Sequence, residues 1–356
     1  MSSQVRAHSL LALAIAALWG STLWSQAPAS ARSSLDIARV LAAKYPAQPI
    51  MSYIPALSWS GSFRLAALTG ESQWKDKPRR EMLPFLGGHT PAIAEPYRLT
   101  SLAGHLAFAD AAALDNNPEA LGFARKAADF ILPQAAGETV RFSTRWTDDM
   151  FMASSVLSRV GGATKDAKYG AAVGQLLTSY AKSLQRPDGI FIHALDGPHA
   201  WGRGNGFALL GLTEALTHLP ADWTDRAAVL DIYRRHVRAL LAHQSDDGSW
   251  RQVVDEPTSY RELTVTAMAT AAIARGLTRG WLDAATYRAI ADRGWRAVVA
   301  RVDADGSVHD VCSGTGAGAT KEYYLNRPAV NGADDRGGAM ALLAAIEMET
   351  LARVKK

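Results

Sequence analysis

Four connecting segments along this chain share one chemistry, and their repetition limits the fold more than any single residue does. They read Leu114-Asp115-Asn116-Asn117-Pro118, Gly161-Gly162-Ala163-Thr164-Lys165-Asp166, Leu219-Pro220-Ala221-Asp222 and Arg279-Gly280-Trp281-Leu282-Asp283. Each ends an apolar stretch with Gly or Pro and opens the next with Asp, or with Pro after Asn, which is how one helix stops and another starts. The new segments begin near 118, 166, 222 and 283, spaced by 48, 56 and 61 residues. Between them apolar residues recur every three or four positions, while strand signals are confined to short stretches such as Gly189-Ile190-Phe191-Ile192-His193. The pattern predicts about twelve helices, roughly over 34–44, 55–68, 73–84, 99–114, 118–133, 147–160, 166–185, 203–218, 222–243, 259–278, 283–301 and 336–354. Twelve helices make six hairpins, and repeated hairpins of this length build either an open solenoid or a closed ring.

The helices alternate in kind. The first of each pair is rich in small and apolar residues, as in Phe207-Ala208-Leu209-Leu210-Gly211-Leu212 and Thr264-Val265-Thr266-Ala267-Met268-Ala269. The second carries Lys, Arg and Gln along one face, as between Asp225 and His243. A helix that is apolar all round is buried, and an amphipathic one forms an outer layer. An open solenoid would leave the inner row partly wet and would need polar caps at both ends. The expected fold is therefore all-α, an (α/α)6 barrel of six helical hairpins, with residues 32–356 forming one barrel domain.

Residues 1–31 read as a secretory signal. Arg6 is followed by the apolar stretch Leu10 to Leu18 and then by Ala29-Ser30-Ala31, small residues at the offsets a signal peptidase requires. The apolar stretch falls short of the ~20 residues that span a bilayer. Cleavage after Ala31 would leave 325 of the 356 residues, secreted or periplasmic and free of the membrane.

Composition removes other classes. Against 38 Lys and Arg stand 34 Asp and Glu, with no run of five basic residues, so nothing marks a nucleic-acid partner. The single Cys312 excludes a disulfide framework and a thiolate metal cluster, and reads as a small buried hydrophobe. His193 and His199 lie in a Gly-Pro loop with no third ligand at a matching spacing. The Gly314–Gly318 stretch lacks the strand before and the Lys-Ser/Thr after that a phosphate loop needs. No metal and no cofactor are expected. The ten Trp suit contacts to sugar rings as well as core filling.

The chemistry gathers where loops lead into inner helices. The first such stretch is Arg145-Trp146-Thr147-Asp148-Asp149-Met150. One Asp can cap the helix, but a cap does not account for two adjacent acids behind a Trp. The second is His193 through Trp201-Gly202-Arg203-Gly204-Asn205-Gly206, where Gly would let a ligand approach the backbone and Arg offers a planar fork for a carboxylate. An Arg-Asp bridge within a tight loop would use the same residues. The third is Ser259-Tyr260-Arg261-Glu262, and near the end come Val311-Cys312-Ser313-Gly314-Thr315-Gly316 and Asp334-Asp335-Arg336-Gly337-Gly338.

These motifs resemble the unsaturated glucuronyl and rhamnogalacturonyl hydrolases of glycoside hydrolase families 88 and 105. The residues concerned are Trp146-x-Asp148-Asp149-Met150-Phe151-Met152, His193 with Trp201-Gly202-Arg203-Gly204-Asn205-Gly206, Asp255-x-Pro257-x-Ser259-Tyr260-x-Glu262, Arg279-Gly280-Trp281-Leu282, Val311-Cys312-x-Gly314-Thr315-Gly316 and Gly337-Gly338-Ala339. The resemblance runs in order over roughly 145–350. It implies an (α/α)6 barrel that hydrates the C4=C5 double bond of an unsaturated uronic acid at the end of a lyase-generated oligosaccharide. It implies Asp148 as the catalytic acid/base, with Trp146, Asp149, His193, Trp201, Arg203 and Asn205 about the substrate and Arg203 toward the uronate carboxylate. Two places depart from the family's pattern. The inner-helix start before the catalytic one reads Tyr97-Arg98-Leu99-Thr100-Ser101, without the usual acid, and Arg336 stands where His is common. A sugar-binding protein on the same ring and a barrel epimerase remain as other readings; the epimerase would want paired His bases.

Overall fold

The computed structural model describes residues 32–354, so the expected signal at 1–31 lies outside the described residues. Six helices are buried nearly all round: α2 (Tyr53–Thr69), α4 with α5 (Leu99–Leu102 and Leu106–Leu114), α7 (Thr147–Thr164), α9 (Gly202–His218), α11 (Leu263–Thr278) and, near the end, α14 (Asp335–Arg353). Here α4 and α5 count as one, because a tight turn at Ala103–His105 joins them. At that turn the His105 ring takes the Leu102 carbonyl at 2.9 Å, competing with the regular helix ladder. Between the inner helices stand six one-faced ones: α1 (Ser34–Lys44), α3 (Asp76–Leu86), α6 (Pro118–Ile131), α8 (Ala167–Leu184), α10 (Arg226–Leu241) and α12 (Ala284–Val299). The contrast follows from sequence. Along α9 every residue from Gly202 to Leu216 is buried. Along α10 the buried set is Val229, Ile232, Tyr233, His236, Val237, Ala239 and Leu240, a single stripe at helical spacing.

The starts of the outer helices are made locally. Asn117 accepts from the Ala120 N–H with Pro118 in the first turn of α6. Asp166 accepts from Lys168 N–H at the start of α8, and Asp283 from Thr286 N–H at the start of α12. Each such cap contributes about 1 kcal/mol. One helix end differs from expectation: α7 runs through Gly161 and Gly162 and stops at Lys165, which takes the left-handed backbone. These glycines serve packing, since a Cβ on Gly162 would lie 2.2 Å from the His218 carbonyl oxygen at the end of α9.

The inner helices close on themselves. Contacts run from α2 to α5, α7, α9, α11, α14 and back to α2, while α1 covers α14. Five hairpins are therefore consecutive in sequence, and the sixth pairs α14 with α1, from opposite ends of the described residues. The strands form two small antiparallel ribbons, β1 (Trp250–Arg251) with β2 (Arg261–Glu262) and β3 (Val308–Cys312) with β4 (Ala329–Gly332). Both were missed by the sequence pattern because each is too short to show alternation. A five-residue helix, α13 (Lys321–Leu325), lies between β3 and β4.

Toward the C-terminal ends of the inner helices the core holds a belt of alternating charge. Ser60 of α2 donates to Asp110 of α5, and Arg159 of α7 donates to Asp110 at 2.8 Å. Arg159 also binds Glu214 of α9, and Arg275 of α11 donates to Glu214 at 2.7 Å. Arg275 reaches Glu347 of α14 at 3.0 Å, and Arg64 of α2 binds the same carboxylate. Every inner helix contributes. Burial alone would raise the Glu347 carboxyl, but Arg275 and Arg64 outweigh it and hold the group down at about 2.

Candidate active site

At the opposite end, where the inner helices begin, a cavity of about 560 Å³ opens among the starts of α2, α4, α7, α9 and α14. That volume lies within the ordinary range for small-ligand sites, ~300–1,000 Å³. Tyr53, Arg98, Asp148, Arg203 and Arg336 each come to it from a different inner helix or the residue just before one. Trp146, Trp201 and Tyr97 supply aromatic walls.

Asp148 lies in the first turn of α7 and keeps 17% of its side chain exposed. His193 Nε2 sits 3.1 Å from Asp148 Oδ2, and His193 Nδ1 sits 2.9 Å from the Tyr324 hydroxyl. The Gly318 N–H also donates to that hydroxyl, so the imidazole bridges Asp148 and a hydroxyl anchored to backbone. His193 is fully buried between Trp146 and Trp201, with ring centroids 5.3 and 4.5 Å away. It therefore stands behind Asp148 and orients it, where sequence reasoning had it among the substrate contacts.

Asp149 faces another task. Its oxygens accept from Tyr180 OH at 2.7 Å, from the Thr144 and Arg145 N–H groups at 2.8 Å each, and from the Thr144 and Ser143 hydroxyls at 2.9 and 3.0 Å. All but Tyr180 belong to the loop before α7, so Asp149 reaches backward and does not cap its helix. The loop needs holding: Phe142 and Arg145 take left-handed backbone, φ 60° and 63°, each at a cost of roughly 1–2 kcal/mol. Burial pushes the Asp149 carboxyl up to about 6 against these donors, with the Asp148 charge adding to the rise. Asp149 borders the cavity, and the bonds that the structure shows for it are to protein.

Arg203 opens α9 and is 3% exposed. Its guanidinium stacks over Trp201, 4.8 Å from the ring centroid, and donates to the Cys312 and Ser313 carbonyls at 2.5 and 2.7 Å. No carboxylate lies within ion-pair reach of it among the described residues. Arg336 donates to the same Cys312 carbonyl at 2.9 Å, which sets two guanidiniums side by side. The end of β3 that both hold is fastened a second way, because buried Glu262 accepts the Cys312 N–H at 2.9 Å while capping α11 through Val265 N–H.

The Gly-rich string is corrected as well. Gly202 to Gly206 form the first turn of α9, not a loop against ligand. A Cβ on Gly204 would meet the Thr147 hydroxyl at 2.6 Å, and one on Gly206 the Met268 methyl at 2.2 Å. The glycines let α7 and α11 close on α9. Asn205 is turned into the protein, where its amide pairs with both backbone groups of Phe191, with the Trp201 carbonyl and with His236. It fixes the preceding loop and does not line the cavity.

Sequence reasoning did not assign a role to Tyr53, Arg98, Tyr324 or Arg336. Arg98 and Arg336 carried a signal, as departures from the family's pattern. Tyr53 and Tyr324 carried none.

The class of protein is defined by a twelve-helix barrel whose cavity sets one open carboxylate among aromatic rings and guanidiniums. The profile of Glycosyl Hydrolase Family 88 matches residues 38–352, and the chain belongs to that family. It is 27% identical over 176 residues to the unsaturated 3S-rhamnoglycuronyl hydrolase of Alteromonas sp. (strain LOR), covering 46% of this chain and 43% of that protein. It is 25% identical over 210 residues to the unsaturated rhamnogalacturonyl hydrolase YesR of Bacillus subtilis (strain 168), covering 57% of this chain and 56% of that protein. The chain thus matches about half the length of each relative. Among solved structures, a possible GH105 member from Klebsiella pneumoniae superposes with a TM-score of 0.78 at 18% identity, over 95% of this chain and 99% of that one. The unsaturated glucuronyl hydrolase of Bacillus sp. GL1 superposes with a TM-score of 0.66 at 14% identity, over 89% and 95%. At these identities the structural likeness is one of fold.

Proposed function

We propose that the protein is an exported glycoside hydrolase that releases an unsaturated uronic acid from the end of lyase-generated oligosaccharides by hydrating its C4=C5 double bond. The observation that carries this reading is the contrast between the two neighbouring acids: Asp149 is engaged by five protein donors, while Asp148 is backed by His193 and still open to the cavity. One working carboxyl suits this chemistry. Asp148 gives its proton to C4 of the enol ether, water adds at C5, and the carboxylate so formed takes the proton that water sheds. The resulting hemiketal opens and frees the neighbouring sugar as an alcohol. The two-carboxylate arrangement of ordinary glycosidases is not required. Arg203 and Arg336 offer a planar, cationic seat for the uronate carboxylate, Trp146 offers a ring face to the sugar, and buried Trp201 supports Arg203 from beneath.

The test is ultraviolet absorbance of a mixed lyase digest, since the conjugated C4=C5 bond absorbs and its hydration product does not. Absorbance should fall on adding the protein; a steady signal across digests of several acidic polysaccharides would overturn the reading. Export rests on the character of residues 1–31: protein outside the cytoplasm should begin at Arg32, and protein found only in the cytoplasm with Met1 intact would overturn that part.

A further inference from the structure

We infer that Tyr324 is a positioning residue for the reaction: its hydroxyl fixes the His193 ring and, through that ring, the direction in which Asp148 faces the cavity; this rests on the function proposed above. The argument begins at the acid. Among the described residues the Asp148 carboxyl has one hydrogen-bond partner, His193 Nε2 at 3.1 Å. An acid that must present its proton to one carbon atom is only as well aimed as the group that holds it. The aim of Asp148 therefore depends on what holds the imidazole.

Trp146 and Trp201 flank the ring, with centroids 5.3 and 4.5 Å away, and keep it from moving sideways. Flat neighbours do not decide how the imidazole is turned within its slot; the partners of its two nitrogens do. Nε2 meets Asp148, which is part exposed and cannot be both the anchor and the group to be anchored. Nδ1 meets the Tyr324 hydroxyl at 2.9 Å, and this side is firm. Tyr324 is fully buried. Its hydroxyl accepts the Gly318 N–H at 3.1 Å, and its carbonyl accepts from Gln252 Nε2 at 2.9 Å. Gly197, in the loop that follows His193, leaves room for that hydroxyl, since a Cβ there would lie 2.5 Å from it. A residue that only filled the core here could be Phe, because a buried hydroxyl costs desolvation unless it is bonded. Among the described residues the one side chain this hydroxyl bonds is His193. Burial pushes the phenol up to about 12, so it stays a neutral hydroxyl well into the alkaline range. The anchor also belongs to the cavity wall. Gly314 and Thr315 border the cavity, and just beyond them the Gly316 and Gly318 N–H groups donate to the Tyr323 and Tyr324 hydroxyls at 3.1 Å each.

The experiment is a double-mutant cycle read by loss of ultraviolet absorbance, together with nitrogen NMR of the His193 ring. Tyr324→Phe keeps the aromatic ring and removes the hydroxyl. It should lower kcat by roughly 3- to 10-fold, the worth of one neutral hydrogen bond, with KM little changed. His193→Gln keeps a donor toward Asp148 but has nothing in the place of Nδ1, so adding Tyr324→Phe to it should lower kcat no further. The His193 Nδ1 signal, identified by its loss in His193→Gln, should shift in Tyr324→Phe with no substrate present. A normal kcat in Tyr324→Phe, losses that multiply in the double variant, or an unshifted ring signal would each reduce Tyr324 to core packing and overturn the inference, leaving the proposed function standing. Should Tyr324→Phe not fold, 3-fluorotyrosine at position 324 keeps ring and hydroxyl while making the hydroxyl more acidic. Both kcat and the ring signal should then move, and constancy of either overturns the inference. If the wild type turns over no unsaturated digest, the proposed function falls by itself. The ring signal then judges Tyr324 alone: a shift keeps it as the group that holds His193 against Asp148, and no shift removes it.

Discussion

The two ends of the inner ring are made by the same six helices and treat charge in opposite ways. At the far end three arginines, Arg64, Arg159 and Arg275, face three acids, Asp110, Glu214 and Glu347, and each acid is bonded to at least one arginine. At the near end three arginines face one open carboxylate, and two of them lean on a backbone carbonyl for want of an acid. Both ends enclose space, about 440 Å³ at the belt and about 560 Å³ at the site. What separates them is completeness. Buried charges that satisfy one another fix the arrangement of helices. Charges left unmatched around a cavity are poised for a ligand that matches them.

The largest effect should come from the near end. Asp148→Asn keeps the shape and hydrogen-bonding reach of the side chain but removes the proton donor. Turnover should fall by ~10²–10⁴-fold with the melting curve unchanged. Near-normal turnover would move the acid elsewhere and remove the proposed division of labour between Asp148 and Asp149. At the far end Glu347→Gln leaves Arg64 and Arg275 facing a neutral group in the core. Chemical denaturation should show a loss of ~3–5 kcal/mol, while kcat of the folded protein stays close to wild type. A fall in kcat without loss of stability would mean that the ends are coupled.

The smallest effect is in pH, and the two ends should respond with opposite signs. Glu347 is held near 2 in the folded protein against an ordinary 4.5. As pH falls below 4.5 the unfolded chain takes up this proton first, so stability from the belt is whole above 4.5 and is lost toward 2. Asp149 sits near 6 against an ordinary 3.8. Here the folded protein takes up the proton first, so this contribution is whole below about 3.8 and is lost as pH rises through 6. Melting curves from pH 2.5 to 8 should therefore flatten on the acid side in Glu347→Gln and between 4 and 6 in Asp149→Asn. Unchanged slopes in both variants would assign the pH response to other groups.

What was legible in the sequence was local. The hairpin turns announce themselves because Asn117, Asp166 and Asp283 bond to backbone two or three residues away. The alternation of buried and one-faced helices follows from side-chain period alone. The first turn of α9 was misread because its glycines answer to Thr147 and Met268, residues far off in the chain. The belt went unseen, though a signal was present. Arg64, Arg159, Glu214 and Glu347 each lie eleven residues after a residue that borders the cavity, Tyr53, Asp148, Arg203 and Arg336. Eleven residues are close to three helical turns, or ~16 Å, so both members lie on one side of their helix. A lone charge at that interval in an otherwise apolar helix has to meet its opposite in the core. That the starts of five helices converge on one cavity is tertiary information, and no single stretch of chain contains it.

The seam between α14 and α1 bears on the order in which the molecule can be put together. Until α14 is in place, α2 and α11 each lack one of their two neighbours in the ring, Arg64 and Arg275 lack the carboxylate they share, and Arg336 is absent from the cavity. A partial chain can form its consecutive hairpins from short-range contacts, but the last docking event joins segments about 300 residues apart and carries a large loop-closure cost. Pocket and belt are consequently finished in the same step, so a molecule that has not closed its seam holds neither a working cavity nor a sealed core.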